Sequence, residues 1–170
     1  MKKILILVCL VASAFSFASC SYSTNIEAGG TAIVKMAGFW DVTIDAVDTD
    51  KEFYEDPYGL GVVPLMTYNT SDNSTEVMWI DDCGSFWNYK FKVDIYYPER
   101  TFHTTDGWRP YDAAETGNAV IYSGKIMEGM GHNVHRQPCD SISFILKFSD
   151  DDPSIDHYLV HGIRHGGYEE

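Results

Sequence analysis

Histidine and cysteine spacing in the C-terminal half suggests one candidate metal site. His132 and His135 precede Cys139 in GHNVHRQPC. Two imidazoles and a thiolate at this spacing can ligate zinc on a turn, but the cluster has no evident fourth ligand. We therefore expect no metal here, and no other part of the sequence indicates a cofactor.

A second histidine series recurs every four residues near the C-terminus, at His157, His161 and His165. On a strand this period places all three side chains on one face, with successive members about 13 Å apart. Neighbouring histidines at that distance cannot share one metal ion. The series therefore predicts no local three-histidine site.

Evidence for a hydrolytic centre is equally thin. The sequence has no G-x-S-x-G motif and no strand-turn-helix context that would hold one. Ser123 or Ser141 can be combined with a histidine on paper, but a catalytic triad is recognised by geometry, which the sequence does not supply. We expect no catalytic residues, and a hydrolase is the third of three functional hypotheses.

The N-terminus resembles a bacterial lipoprotein signal. Lys2 and Lys3 are followed by the apolar run ILILVCLVA and then by SAFSFASC, which ends in a lipobox-like sequence at Cys20. This pattern predicts a signal peptide at residues 1–19, a lipidated Cys20 and a polar tether over residues 20–30. The alternative is an ordinary secretory signal cleaved near the same place. Either signal predicts the cell envelope, and lipidation predicts an outer-membrane lipoprotein on a face that the sequence does not identify.

Charge and cysteine content follow from this processing. The full chain has a formal net charge of −13, and removal of residues 1–19 takes away two lysines and no acids, which gives −15. Such a surface is poorly suited to nucleic acid or anionic lipid headgroups, so we expect no nucleic-acid partner. Cys83 and Cys139 would be the remaining thiols. An oxidising envelope allows them to pair, but the sequence leaves the pairing open.

Hydrophobic periodicity indicates an all-β domain over residues 31–170. WNYKFKVDIYY and DSISFILKF alternate with period two, and turn signals such as NTSDN and SDDDP separate the periodic segments. Seven to nine strands with one buried face each favour a sandwich or a barrel. Regular hairpin spacing favours an up-and-down antiparallel barrel of about eight strands, because closure removes exposed edges.

The start of the first long strand carries a family signature. Gly38-Phe39-Trp40 resembles the G-x-W motif of lipocalins and the wider calycin group. In that group the tryptophan closes one end of the barrel, and a basic residue of the last strand lies across its ring. The resemblance therefore implies contact between Trp40 and Arg164, although the two are distant in sequence.

Other segments narrow the resemblance. DSISFILKFSDDDP, HYLVHGIRHGGYEE, GGTAIVKMAGFWDVTIDAVD and IYSGKIMEG are similar to a lipocalin-like bacterial lipoprotein family labelled lipid-binding putative hydrolase. The likeness covers most of residues 28–170. It implies a calycin-like β-barrel and transfers no catalytic residue to this chain.

Aromatic residues on the expected inward faces form the candidate binding site. Pockets for small ligands are mostly apolar with a few placed polar groups, and this set mixes phenylalanine and tryptophan with tyrosine: Trp79, Trp87, Tyr89, Phe91, Tyr97, Tyr122, Phe144 and Phe148. The same residues can instead fill the core of a small barrel. An open interior predicts a small apolar or amphipathic ligand, whereas a filled one predicts a noncatalytic lipoprotein that binds protein or glycan through its loops.

Overall fold

A computed structural model gives the fold of the protein and describes residues 30–167. The predictions for the signal peptide, Cys20 and the tether lie outside these residues, apart from Gly30. Within residues 30–167, no helix has the length and apolar character needed to cross a bilayer.

The described chain is almost entirely β-structure, and eight of its strands close into a barrel. These strands are β1 (Gly38–Asp48), β3 (Val63–Asn69), β4 (Val77–Asp81), β5 (Lys90–Tyr96), β6 (Thr101–His103), β8 (Asn118–His132), β9 (Pro138–Phe148) and β10 (Ile155–Arg164). Each pairs antiparallel with the next one in this series, and β10 pairs with β1 to complete the ring. The predicted up-and-down barrel is confirmed.

Two short strands lie outside the ring. β2 (Phe53–Tyr54) pairs with β1, and β7 (Arg109–Pro110) pairs with β8. A short 3-10 helix, Tyr97–Glu99, connects β5 to β6. All three elements lie in connections between barrel strands, and the alternation that predicts the barrel strands does not predict them.

Strand formation follows from alternation of apolar and polar side chains. In β1, Trp40, Val42 and Ile44 are buried on the inner face, and β9 buries Ile142 and Phe144 in the same way. A strand directs successive side chains to opposite faces, so each alternating segment supplies one row to the interior. The buried rows from all eight strands meet in one continuous apolar cluster.

One end of the barrel, which we call the Trp40 end, is closed by the predicted signature. The ring of Trp40 is fully buried, and the Arg164 guanidinium carbon lies 4.5 Å from its centroid. Arg164 also donates a 2.8 Å hydrogen bond from Nη1 to the Ala37 carbonyl. The predicted contact between Trp40 and Arg164 is confirmed, and its geometry fits a cation–π interaction.

Gly38 is required for this arrangement. A Cβ built on Gly38 would overlap the Arg164 guanidinium, so any larger residue would push the arginine away from the indole ring. The glycine of the G-x-W signature is therefore explained by close approach of an arginine side chain.

The segment before β1 completes the Trp40 end. Residues 32–36 form a turn that buries Ile33 and Met36. Trp40 Nε1 donates to Thr67 Oγ1 at 2.8 Å, and Thr67 in turn donates to the Met36 carbonyl at 2.6 Å. The buried Trp40 Nε1 and Thr67 hydroxyl therefore both have hydrogen-bond partners, as burial requires.

Candidate ligand-binding site

Four of the predicted inward-facing aromatic residues do face the interior. Phe91 and Phe144 lie on strands, Tyr89 immediately precedes β5, and Phe148 ends β9. All four are buried in the central apolar cluster. Their ligand-binding role stays a prediction, because burial alone is equally consistent with a core.

Packed side chains occupy the interior of the barrel. Phe102 and Phe144 meet with their ring centroids 5.6 Å apart, and Tyr89 approaches Phe91 at 5.8 Å. Both distances are typical of close aromatic packing. Of the two alternatives drawn from the sequence, these contacts favour a filled core over an open cavity lined by these aromatic residues. A barrel end or the outer surface is then the more accessible place for an apolar ligand.

The predicted inward orientation of Trp79 is wrong. Its neighbours Met78 and Ile80 are both fully buried, so alternation places Trp79 on the outer face of β4. All four residues of the segment VMWI are apolar, so alternation in the sequence does not show which of them face the inside of the barrel.

Tyr122 also points outward, where its side chain is 45% exposed. The preceding Ile121 is fully buried. The pairing of β8 with β9 shifts between Tyr122 and Lys125, and Ser123 in the shift has a positive φ of 51°. A β-bulge of this kind changes the alternation, which is why a period-two pattern misassigned this residue.

Trp87 and Tyr97 lie beyond the two ends of β5. Asn88, with φ of 57°, interrupts the extended backbone between Trp87 and the strand. Tyr97 begins the 3-10 helix at the Trp40 end, where its hydroxyl accepts a 3.4 Å hydrogen bond from the Lys35 backbone. Both residues are half-buried against the apolar cluster but lie outside the strand, so the regular inward row on β5 is shorter than the pattern WNYKFKVDIYY predicts.

The end of the barrel opposite the Trp40 end is closed by a group of packed aromatic side chains, which we call the aromatic end: Tyr58, Phe86, Trp87, Phe148 and Tyr158. Trp87 stacks on Phe148 with centroids 4.6 Å apart and an interplanar angle of 11°. Phe86 meets Tyr158 edge to face at 5.0 Å. Phe86 and Trp87 are only half-buried, and both belong to the loop that connects β4 to β5.

One buried carboxylate holds this loop in place. Asp82 accepts hydrogen bonds from the backbone N–H groups of Gly84, Phe86, Trp87 and Asn88, at 2.8 to 3.2 Å. An aspartate at the start of a turn commonly bonds the backbone that follows it. In the sequence, the segment DDCGS is the signal for this turn.

A second loop brings Tyr58 to the same place. Asp45 is buried on the outer side of β1 and accepts a 3.1 Å hydrogen bond from the Asp56 backbone. Asp56 in turn accepts from the backbone of Leu60 and Gly61 at 2.8 and 2.9 Å. This turn places the Tyr58 hydroxyl 2.8 Å from that of Tyr158. Burial, with help from the Tyr58 hydroxyl, raises the pKa of Tyr158 above the usual range of tyrosine.

The outer surface carries a groove of about 470 Å³ beside Trp79. Lys90, Lys92 and Arg109 lie along the groove, together with Pro110 and Ala113. The Lys92 ammonium lies 5.2 Å from the centroid of Trp79, and that of Lys90 lies 5.8 Å away. The groove combines an aromatic surface with positive charge.

Comparison with known protein families finds a match for most of the chain. The profile of the family described as lipid-binding putative hydrolase covers residues 25–169. The chain belongs to this family. A comparison with curated proteins gave no match. Family membership and the barrel together support lipid binding in general, and they confirm the resemblance drawn from the sequence.

Hydrolysis is the second part of this family's description, and His161 is a histidine of the described residues that lies near both an acid and a hydroxyl. His161 Nε2 lies 2.9 Å from Asp45 Oδ2 and 3.3 Å from Thr43 Oγ1, so the acid and the hydroxyl share a single ring nitrogen. A triad requires one nitrogen for each. Ser123 and Ser141 make no hydrogen bond to a histidine within residues 30–167.

The remaining histidine and cysteine candidates are also separated. His165 Nδ1 lies 2.9 Å from an Asp41 carboxylate oxygen, and across residues 30–167 no three histidine, cysteine or acidic side chains converge on a possible metal position. Cys83 adjoins the loop at the aromatic end. Cys139 lies at the Trp40 end, on β9 opposite Gly131 of β8. Both thiols are free.

Proposed function

We propose that this family member is a lipid-anchored envelope lipoprotein that binds a small amphipathic, lipid-like ligand at the aromatic end of its barrel. The observation that carries the proposal is the closure of this end by loop side chains. Phe86 and Trp87 lie half-buried over Phe148 and Tyr158, so movement of one loop would expose apolar surface and leave the strand pairing intact.

The packed interior sets the energetics of this binding. A ligand chain must replace the contacts that Phe86 and Trp87 make with the cluster. Each buried methylene contributes about 0.8 kcal/mol, and micromolar affinity needs about 8 kcal/mol, so a chain of roughly ten carbons or a headgroup contact is required. Tyr58 and Tyr158 offer hydroxyl groups for such a contact.

The binding test uses a neutral probe series, n-alkanols from hexanol to dodecanol, with the protein lacking residues 1–19. We expect saturable quenching or enhancement of tryptophan fluorescence, with affinity rising with chain length. Trp87→Leu should weaken decanol binding by about tenfold or more, since a stacked side chain is lost. Tyr96→Leu is the matched control, because Tyr96 is 55% exposed and lies at the other end of β5 from Trp87.

Absence of a saturable response at every chain length would contradict the proposal. It would favour the second candidate, a noncatalytic lipoprotein that binds protein or glycan through its loops. The packed interior is the observation that supports this alternative.

The anchor is the second part of the proposal. It rests on the lipobox-like sequence at Cys20, and Gly30 lies at the Trp40 end, where Ala32 donates from its backbone to Asn73 in the β3–β4 turn. The tether of residues 20–30 has eleven residues and spans at most about 40 Å.

Replacement of the lipidated residue tests the anchor. Cys20→Ala should move the protein from the membrane fraction to the soluble envelope fraction and abolish incorporation of labelled palmitate. Cys83→Ala is the control and should stay with the membrane. A wild-type protein that incorporates no palmitate would refute the anchor.

A further inference from the structure

Three of the chain's basic side chains lie along the groove beside Trp79. The full sequence has 12 basic and 25 acidic residues, yet Lys90, Lys92 and Arg109 all lie along one groove. Lys90 and Lys92 are two residues apart on β5 and so project to the same outer face, about 7 Å from each other. Arg109 reaches the same strand by donating to the Lys92 carbonyl at 3.0 Å.

Two of these three cations have acidic partners. Lys90 lies 3.4 Å from Asp81, and Arg109 lies 2.6 Å from Asp94. A third acid along the groove, Asp112, accepts hydrogen bonds from the backbone and hydroxyl of Thr116.

Lys92 differs from both neighbours. It makes no salt bridge with any acid of the described chain, and its ammonium lies over the Trp79 ring. The Asp72 carboxylate is near enough that Lys92, after hydrogen bonds from Thr70 and the Asp72 backbone, helps to lower the pKa of Asp72. A positive charge is thus held beside an aromatic face without a carboxylate in direct contact.

The walls of the groove are suited to an acyl chain. Trp79, Pro110 and Ala113 present apolar surface along it. The volume, about 470 Å³, falls within the range of about 300 to 1,000 Å³ that is typical of small-molecule sites. Apolar walls next to a free cation match a molecule with one anionic group on a hydrocarbon chain.

We propose that this groove binds an anionic amphiphile of the fatty-acid type, with its carboxylate at Lys92 and its chain along Trp79 and Pro110. The site is separate from the aromatic end and does not depend on binding there. A charge-assisted hydrogen bond from Lys92 makes the groove selective for an anionic headgroup, and the apolar walls provide the contact area for the chain.

The experiment compares decanoate, 1-decanol and acetate, each below its aggregation concentration, by calorimetry and by amide and indole NMR of the protein lacking residues 1–19. We expect decanoate to bind at least tenfold more tightly than either other probe in the groove and to shift the Trp79 indole signal, assigned with Trp79→Phe. Lys92→Gln should weaken decanoate binding about tenfold without changing decanol binding. Lys125→Gln is the matched control, because Lys125 is an exposed lysine on β8.

Three outcomes, each followed by the shift of the Trp79 indole signal, would overturn the inference: equal groove affinity for decanoate and decanol, equal groove affinity for decanoate and acetate, or an unchanged groove affinity for decanoate in Lys92→Gln. The Trp87→Leu variant separates the two sites. It should lower decanol binding at the aromatic end and leave the decanoate-induced shift of Trp79 unchanged. Loss of that shift in Trp87→Leu would also count against an independent groove.

Discussion

The two ends of the barrel are closed by different kinds of contact. At the Trp40 end, a fully buried indole ring lies beneath an arginine and donates to Thr67, and the residues before β1 cover the opening. At the aromatic end, rings pack against rings, and the half-buried Phe86 and Trp87 depend on backbone hydrogen bonds to Asp82. One closure is built on strands, and the other on a connecting loop.

This difference separates structural support from ligand access. Directional contacts among buried strand residues resist local opening, because each lost hydrogen bond leaves an unpaired buried group. A loop with half-exposed side chains can open at lower free energy than the strands beneath it. We therefore expect changes at the Trp40 end to alter global stability, and changes at the aromatic end to alter local opening and binding.

The largest expected effect comes from Trp40→Ala. Truncating this fully buried side chain should lower the free energy of unfolding by about 3 to 5 kcal/mol. Urea denaturation followed by circular dichroism measures the loss. Trp108→Ala, which truncates a half-exposed ring, should cost much less, and equal losses in the two variants would contradict the structural role of the Trp40 end.

Asp82→Ala should have the next largest effect, because four backbone N–H groups lose their acceptor. We expect a loss of about 1 to 3 kcal/mol in stability. Hydrogen exchange should accelerate at Trp87 and Asn88 while the β1 amides remain protected. Asp152→Ala removes an exposed aspartate that accepts from Ser154 and should leave the exchange of this loop unchanged.

Alkaline pH provides a third comparison. Burial raises the pKa of both Tyr89 and Tyr158 above the ordinary value near 10. The unfolded chain therefore loses these protons first, so their contribution to stability is complete below about pH 10 and declines as the pH rises above it.

Tyr158→Phe should remove part of this decline. We expect its stability to fall less steeply than that of the wild type between about pH 10 and 11, by up to about 1.4 kcal/mol per pH unit. Urea titrations at several pH values measure the slope. A slope in Tyr158→Phe equal to that of the wild type would refute the assignment.

The smallest expected effect is the coupling between Trp40 and Arg164. A double-mutant cycle of Trp40→Phe and Arg164→Met should show about 1 kcal/mol of interaction, since the arginine remains partly solvated. Strictly additive losses would mean that the guanidinium acts only through its contacts with Lys35, Ala37 and Asp140.

Sequence reasoning predicted the barrel and its Trp40 end because both depend on regular features. Period-two alternation gives strands, and the G-x-W signature with Arg164 predicts one long-range contact. The predicted orientation of Trp79 was wrong because apolar residues occupy both the odd and the even positions of its segment. The predicted orientation of Tyr122 was wrong because a bulge interrupts the alternation.

The aromatic end could be predicted only in part. Phe148 lies on a regular strand, so its orientation followed from the pattern. The positions of Phe86, Trp87 and Tyr58 depend on carboxylates that bond loop backbone, and such contacts have no periodic signature. The groove beside Trp79 was not predicted, because the groove forms only if Trp79 faces outward and the sequence pattern was interpreted as placing it inward.

The pairing of β1 with β10 also has a consequence for how the protein folds. Trp40 lies opposite Arg164, so the seam of the barrel joins the first long strand to the last. Contacts between such distant residues make folding slow, because a long loop must close before they form. Until Arg164 is in place, β1 and β9 each present an edge that can pair with another chain. We therefore expect the newly made polypeptide to be most prone to aggregation just before its last strand is added.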